Sequence, residues 1–254
     1  MKPTLAVVIL ARNEERNIVD CIESVRFADE ILVVDSGSED ATCELAKAQG
    51  AKVVLHPMGE DGFAGQRNFA LTVLETDWVL YLDADERVTD GLREEICAIV
   101  RENEPIAGSM QRLSVVMGQA MRHGVYRPDR VLRLFPRTGV TWVGVVHEHP
   151  EVQLPVRQMK KPAYHYADRN WEQYFEKFNQ YTTMMAQKLQ EQGRHVGLAG
   201  GLFHAAYAFF QTYVVKLGFL DGRLGFLLCL YHFFYTLTKY VKLEARNRGT
   251  GEKQ

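Results

Sequence analysis

The sequence is sparing with cysteine. Cys21, Cys43, Cys97 and Cys229 are scattered through 254 residues, and no two form a CxxC pair. That spacing indicates neither a zinc site nor a disulfide framework, and it fits a reduced, cytosolic setting. There is no Gly-x-Gly-x-x-Gly, which disfavours a dinucleotide-dependent oxidoreductase, and no Gly-x-Ser-x-Gly elbow, which disfavours a serine hydrolase. Neither sign of charge is in excess. A net charge of -2 leaves no basic footprint for nucleic acid. No internal repeat or low-complexity stretch is present. "MKPTLAVVILARNEE" lacks a small-residue cleavage site and meets charge at Arg12, so it reads as a strand rather than a signal peptide.

What the chain does have is core. At 46% hydrophobic and 24% charged, it is composed like a soluble protein with one large α/β domain, or a domain with an appendage. "TLAVVILA" (4–11), "EILVVD" (30–35) and "DWVLYLDAD" (77–85) are continuous Val/Ile/Leu-rich runs without alternation. Such runs predict strands buried on both faces, as in a parallel sheet, and "AKVVLHP" (51–57) is a shorter fourth. Between them lie helical patterns. "EERNIVDCIESVRF" puts Ile18, Cys21, Ile22 and Val25 on one face. "SEDATCELAKAQG" runs from a cap at Ser38 or Asp40 to Gly50, and "FAGQRNFALTVLE" follows. Strands alternating with helices of this length predict a doubly wound sheet, with ligands beyond the carboxyl ends of its strands. Asn13-Glu14, Asp35 and Asp83-Ala84-Asp85 all fall there.

The middle of the chain changes character. Residues 108–121, 130–137 and 140–150 look like strands joined by turns. "NWEQYFEKFNQYTTMMAQKLQEQG" (170–193) is an amphipathic helix with Trp171, Tyr174, Phe175, Phe178, Tyr181, Met185 and Leu189 on its apolar face. The tail is apolar. Residues 196–215 are long enough to span a bilayer and 224–238 are too short. The expectation is a helical hairpin in or against the membrane interface, with Lys239, Lys242, Arg246 and Arg248 facing anionic headgroups. The alternative is a helical subdomain or dimer interface buried in protein. The expected division is a catalytic domain over 1–193 and a membrane-associating helical region over 194–254.

"YLDADERV" (81–88) places Asp83, Asp85 and Glu86 directly after a buried strand. Alone, Asp-x-Asp is a polar turn as readily as a site. At a strand tip beside two other strand-end acids, it is also a place to hold a hard divalent cation. Such an ion takes one or two carboxylates and completes its shell with substrate phosphates.

Four segments in order, "VVILARNEERNIVDCIESV", "EILVVDSGSEDAT", "GQRNFAL" and "WVLYLDADE", resemble the motifs of the family 2 glycosyltransferases. The resemblance covers roughly the first hundred residues. Later, "WVGVVHE", "AYHY" and "DGRLGFLLCLYHFFYTLTKYVKLE" resemble the narrower lipopolysaccharide-core glycosyltransferase group. The implied fold is a GT-A-type mixed, mostly parallel sheet with flanking helices, followed by a hydrophobic helical segment. The implied activity is inverting transfer of a sugar from a nucleotide-diphosphate donor to a glycolipid or lipopolysaccharide-core acceptor. The implied place is the cytoplasmic face of the membrane, peripherally bound.

Residue by residue, the resemblance implies that Asp35 hydrogen-bonds the nucleobase. An acid accepting from an imide N–H favours uracil, hence a UDP-sugar. Ala11 and Glu14 would line the nucleoside pocket, with Arg67 near the base or the phosphates. Asp83 would face ribose and metal, and Asp85 would bind Mn²⁺ or Mg²⁺ directly. His165 is a possible further ligand or a structural histidine. Inversion needs a base within reach of the acceptor hydroxyl. Relatives often carry an acidic pair there, whereas this chain has "VHEHP". Glu148 is therefore the candidate base, with His147 in reserve. Trp142 could stack on a sugar or pack in the core. Two rivals remain: a sugar-nucleotide-forming nucleotidyltransferase, although "LARNEE" is not a glycine-rich phosphate loop, and a non-catalytic nucleotide-sugar-binding scaffold.

Overall fold

The computed structural model describes residues 2–145, 148–168 and 170–251. The first ninety residues alternate as expected: β1 (Leu5–Ala11), α1 (Ile18–Ser24), β2 (Glu30–Asp35), α2 (Thr42–Ala48), β3 (Lys52–Leu55), α3 (Gly62–Val73) and β4 (Trp78–Asp83). Every residue of β1 is buried. Its two faces feed two cores, because side chains alternate along a strand. Val7 and Ile9 pack with Ile18 and Ile22 of α1, while Ala6 and Val8 pack with Ala64 and Ala70 of α3.

After β4 come β5 (Glu86–Val88) and α4 (Asp90–Glu102). The Thr89 hydroxyl caps α4 by accepting from the Leu92 N–H at 3.3 Å. The expected strand-rich middle follows: β6 (Ala107–Val116), β7 (Gln119–Ala120), β8 (Asp129–Pro136), β9 (Thr141–Val143), β10 (His149–Glu151) and β11 (Val156–Asp168). Met117 and Gly118, both at positive φ (48° and 79°), form the two-residue turn between β6 and β7.

The sheet order is β3-β2-β1-β4-β8-β6-β11-β5, with β7 added to β6 and a separate β9–β10 ribbon. The sheet is parallel from β3 to β4. It turns antiparallel where β8 joins β4 and β6 joins β8. Register sets the site: Ala11 lies opposite Asp35, Leu10 opposite Asp83, and His165 opposite Glu86.

The chain divides into two compact units, 1–112 with 129–165, and 113–128 with 166–254. This differs from the expected division at residue 193. Helix α5 (Trp171–Glu191) belongs with the tail because its aromatic stripe packs on α7 (Gly222–Gly251). The Trp171, Tyr174 and Phe175 rings surround Tyr231 at centroid distances of 5.5, 5.7 and 5.3 Å, and Phe178 meets Tyr235 at 5.8 Å.

The expected hairpin is present as α6 (Leu198–Phe210), a π turn over Gln211–Val215, a 3₁₀ turn over Gly218–Asp221, and α7. Gly201 lets the two helices close, since a Cβ there would lie 3.0 Å from the Tyr240 Cβ. The far end of α7 is polar, and three of its cations make contacts within the protein. Lys242 Nζ donates to Asn179, Thr182 and Thr183 of α5 at 2.8–3.0 Å. Arg246 Nε donates to Gln190, and Arg248 pairs with Glu244 four residues back. Among the described residues, no helix is long and apolar enough to cross a membrane.

Candidate active site

A cavity of about 440 Å³ opens at the carboxyl ends of β1 and β4. Its walls include Ala11, Glu14, Arg67, Asp83, Asp85, Glu148 and His165. Seven of the nine expected site residues thus come together, from five separate stretches of chain. His147 lies outside the described residues.

Asp35 sits at the same rim but is only 1% exposed. Its Oδ2 accepts the Gly37 and Ser38 N–H groups at 3.0 and 2.9 Å, and its Oδ1 accepts the Ser38 hydroxyl. Burial alone would raise its pKa, but these hydrogen bonds outweigh it and hold the carboxyl below its ordinary value. Its immediate task is to fold the β2–α2 turn. That turn in turn holds the loop after β1. Asn13, at φ 56°, donates its N–H to Ser38 Oγ at 2.9 Å, and Glu14 donates its N–H to Thr42 Oγ1 at 2.7 Å. Burial pushes the Glu14 carboxyl above its usual value, although Asn17 hydrogen-bonds it at 2.6 Å.

The "GQRN" stretch of α3 fastens the helix to two neighbouring segments beside the cavity. Gln66 Nε2 donates to the His56 and Pro57 carbonyls at 2.8 and 3.1 Å. Asn68 exchanges two hydrogen bonds with the Trp142 backbone at 2.8 and 2.9 Å. Gly62, at φ +60°, brings α3 against the loop leading to Glu148, where a Cβ would meet the Val145 carbonyl oxygen at 2.8 Å. Between these anchors, Arg67 is almost wholly buried, its guanidinium 4.6 Å from the Trp142 ring centroid. Trp142 itself packs in the core against Tyr81 and Phe135, at 5.2 and 6.1 Å, and offers no face to a sugar.

Asp83, expected to face ribose and metal, lines the cavity with both carboxylate oxygens engaged by arginines. Its Oδ1 accepts from Arg67 Nη2 at 3.0 Å and its Oδ2 from Arg133 Nη2 at 2.7 Å, with Arg112 at 4.0 Å. Burial raises its pKa, but Arg133 and Arg67 together drive it well below the usual carboxylate range. Below it lies Glu86, wholly buried, which accepts the Asp83 N–H at 3.0 Å and lies 3.4 Å from Arg112 and 3.8 Å from Arg133. Burial is the largest influence on Glu86 and pushes its pKa up. Arg67 is pulled the other way from its ordinary value, first by burial and then by the charge of Arg133.

Arg133, Arg112 and Glu86 are the residues that the site expectations missed. The available signal was Arg133 itself, a lone charge in the apolar strand "VLRLF", which needs a buried partner.

Asp85 and His165 form the other half of the cavity. His165 Nε2 lies 3.3 Å from Asp85 Oδ2, and this hydrogen bond raises the imidazole's pKa above its usual value. Among the described residues, Asp85 Oδ1 is buried without a hydrogen-bond partner. Arg67 Nε and Nη1 are likewise buried, with no hydrogen-bond partner among the described residues. Buried polar atoms are normally satisfied, and Asp85 and Arg67 both line the cavity, so this acceptor and these donors mark where a ligand belongs. Among the described residues, no three His, Cys, Asp or Glu side chains gather as a metal cage. The Asp85–His165 pair fits an ion that draws most of its oxygens from phosphate and water. Glu148 completes the wall, its Oε1 3.6 Å from Arg67 Nη2.

Residues 6–210 match the sequence model described as glycosyl transferase family 2. The chain belongs to that family, so it is a glycosyltransferase, and its mixed sheet with flanking helices is of the GT-A type. It is 28% identical over 253 residues to the lipopolysaccharide core biosynthesis glycosyltransferase LpsC of Rhizobium meliloti (strain 1021), covering 97% of this chain and 94% of that protein. It is also 28% identical over 253 residues to an uncharacterized glycosyltransferase of Rickettsia bellii (strain RML369-C), covering 94% and 85% of the two. Among solved structures, glucosyl-3-phosphoglycerate synthase from Mycobacterium tuberculosis, in complex with Mn²⁺, UDP and glucosyl-3-phosphoglycerate, is 29% identical. That match covers 46% of this chain and 45% of that one, with a TM-score of 0.36.

Proposed function

We propose that the protein is an inverting glycosyltransferase that moves a hexose or heptose from a nucleoside-diphosphate donor to a lipid-linked lipopolysaccharide-core glycan. It would work at the cytoplasmic face of the membrane. The observation that carries the proposal is the strand-tip cavity, with the open Asp85 Oδ1 beside His165 and the open Arg67 N–H groups. The relative named for lipopolysaccharide core biosynthesis supports the acceptor class.

Asp85 and His165 would hold Mn²⁺ or Mg²⁺. When bound, such an ion neutralises charge on a departing diphosphate. Arg67 donates hydrogen bonds to the diphosphate oxygens from a low-dielectric wall, where they are strong. Asp83, held by Arg67 and Arg133, orients Arg67. Ala11 and Glu14 line the donor's nucleoside end. Uridine is the first base to test, since Asp35 is the group expected to pair with an imide.

Glu148 takes the proton of the acceptor hydroxyl as that oxygen attacks the anomeric carbon. The bond from that carbon to the diphosphate oxygen breaks, its electron pair leaving with the diphosphate. One displacement inverts the configuration. The test is Asp85→Ala, which should abolish transfer and leave the fold intact. Normal turnover by that variant in EDTA would reject the ion site. Release of pyrophosphate from a nucleoside triphosphate, rather than of a nucleoside diphosphate from its sugar, would point to the nucleotidyltransferase instead.

A further inference from the structure

We infer that the α6–α7 hairpin is a monotopic docking element, with one face of α6 and the turn that follows it seated in the surface of an anionic bilayer. This deepens the lipid-linked acceptor proposal and rests on it for its purpose.

Charge distribution carries the inference. From residue 196 to 243, the only acid is Asp221, against the cations Lys216, Arg223, Lys239 and Lys242. Asp221 is turned inward and is 8% exposed. Its Oδ2 accepts the Arg122 and His123 N–H groups at 3.0 and 2.8 Å, and its Oδ1 lies 2.8 Å from His123 Nδ1. The one negative charge of residues 196–243 is thereby removed from the surface, and Glu244, beyond them on α7, pairs with Arg248. Lys242 is committed to α5. Lys216 and Arg223, on either side of the 3₁₀ turn, have no ion-pair partner among the described residues.

The exterior between these cations is apolar. Phe203, Tyr207, Phe210 and Val214 recur at helical spacing along α6 and the π turn, at 72%, 58%, 53% and 44% exposure. The turn adds Val215, Phe219 and Leu220 at 63%, 45% and 57%. The turn is wound tightly on α7. A Cβ on Gly225 would lie 2.2 Å from the Gly218 carbonyl oxygen, and Leu217 takes φ +57°.

A contiguous exposed apolar patch of this kind marks an interaction surface. Since no described helix is fit to span, the geometry is that of an element lying in the headgroup boundary. A second copy of the chain is the poorer occupant. It would bring further cations to this face, where residues 196–243 expose no acid to answer them, whereas anionic headgroups do answer them.

The experiment is co-sedimentation of the full chain with vesicles of phosphatidylglycerol and, separately, of phosphatidylcholine. Two variants accompany it, Phe219→Asp/Leu220→Asp and Lys216→Gln/Arg223→Gln, each with a circular dichroism melt to establish folding. The wild type should pellet with phosphatidylglycerol vesicles. The Asp variant should remain in the supernatant. The Gln variant should lose about five-fold in partitioning per cation removed at low salt. Three results overturn the inference: wild type free of phosphatidylglycerol vesicles, a folded Asp variant that pellets like wild type, or a vesicle-indifferent dimer that the Asp variant converts to monomer. Stabilisation by UDP with Mn²⁺, measured without vesicles, reports on the transferase proposal separately. Its loss with vesicle binding intact would reject that proposal and leave the docking face standing.

Discussion

Replacing Arg133 with methionine should lower the melting temperature by about 6–12 °C. The Arg133 side chain is 6% exposed, with Nη2 2.7 Å from Asp83 and 3.8 Å from Glu86, which is wholly buried. Methionine is long and flexible enough to fill most of the vacated space, so the change is mainly one of charge. Removing one partner of a buried ion pair costs about 3–5 kcal/mol, because the other charge is left in low dielectric. The low end applies here, since Asp83 keeps a third of its side chain in solvent and retains Arg67. About 3 kcal/mol at about 2–4 °C per kcal/mol gives the stated shift for a chain of this size. The assay is a circular dichroism melt near neutral pH. A second variant, Arg133→Met/Glu86→Gln, should recover about 1–2 kcal/mol, because the buried carboxylate goes with its partner. If the single variant melts with the wild type, or the double variant is less stable than the single, the arginine cage does not hold the site together.

Glu148→Gln should lower kcat by about 10²–10⁴-fold while leaving donor binding unchanged, as loss of a general base does. Equal losses in donor affinity and turnover would instead place Glu148 in donor binding. Asp35 has a folded-state pKa below its ordinary value, so its stabilisation is complete above the unfolded pKa and is lost as pH falls through the folded one. Asp35→Asn should therefore be less stable than wild type by about 2 kcal/mol near neutral pH. That gap should close on acidification below about pH 4, and an undiminished gap in denaturant melts at low pH would contradict the turn-holding role.

Much of the sheet is legible because continuous apolar runs have few other uses. The β1, β2 and β4 segments can only be strands buried on both faces, and their carboxyl ends bring Ala11, Asp35 and Asp83 to one rim. Helix α4 is less legible. Its start rests on the Thr89 side chain, which accepts the Leu92 N–H. The arginine cage is hidden for a different reason. Arg112 and Arg133 lie on different strands, and their convergence on Asp83 depends on registers that periodicity does not carry. The grouping of α5 with the tail likewise depends on which aromatic surface meets its stripe, a matter of pairing between helices rather than of either sequence alone. The polar end of α7 makes the same point, since Lys242 looks like a headgroup contact until α5 supplies its acceptors.

The central claim is that the strand-tip cavity binds a nucleoside diphosphate together with a divalent cation through Asp85. The most direct measurement is the thermal shift of the full chain and of Asp85→Ala with UDP, with Mn²⁺, and with both. At a ligand concentration about 100 times Kd, stabilisation is about 2.7 kcal/mol, a rise of about 5–10 °C. The account predicts that rise for wild type with UDP and Mn²⁺ together, more than the sum of each alone, and its disappearance in Asp85→Ala. An equal rise in the variant, or none in wild type with any nucleoside diphosphate, would contradict it.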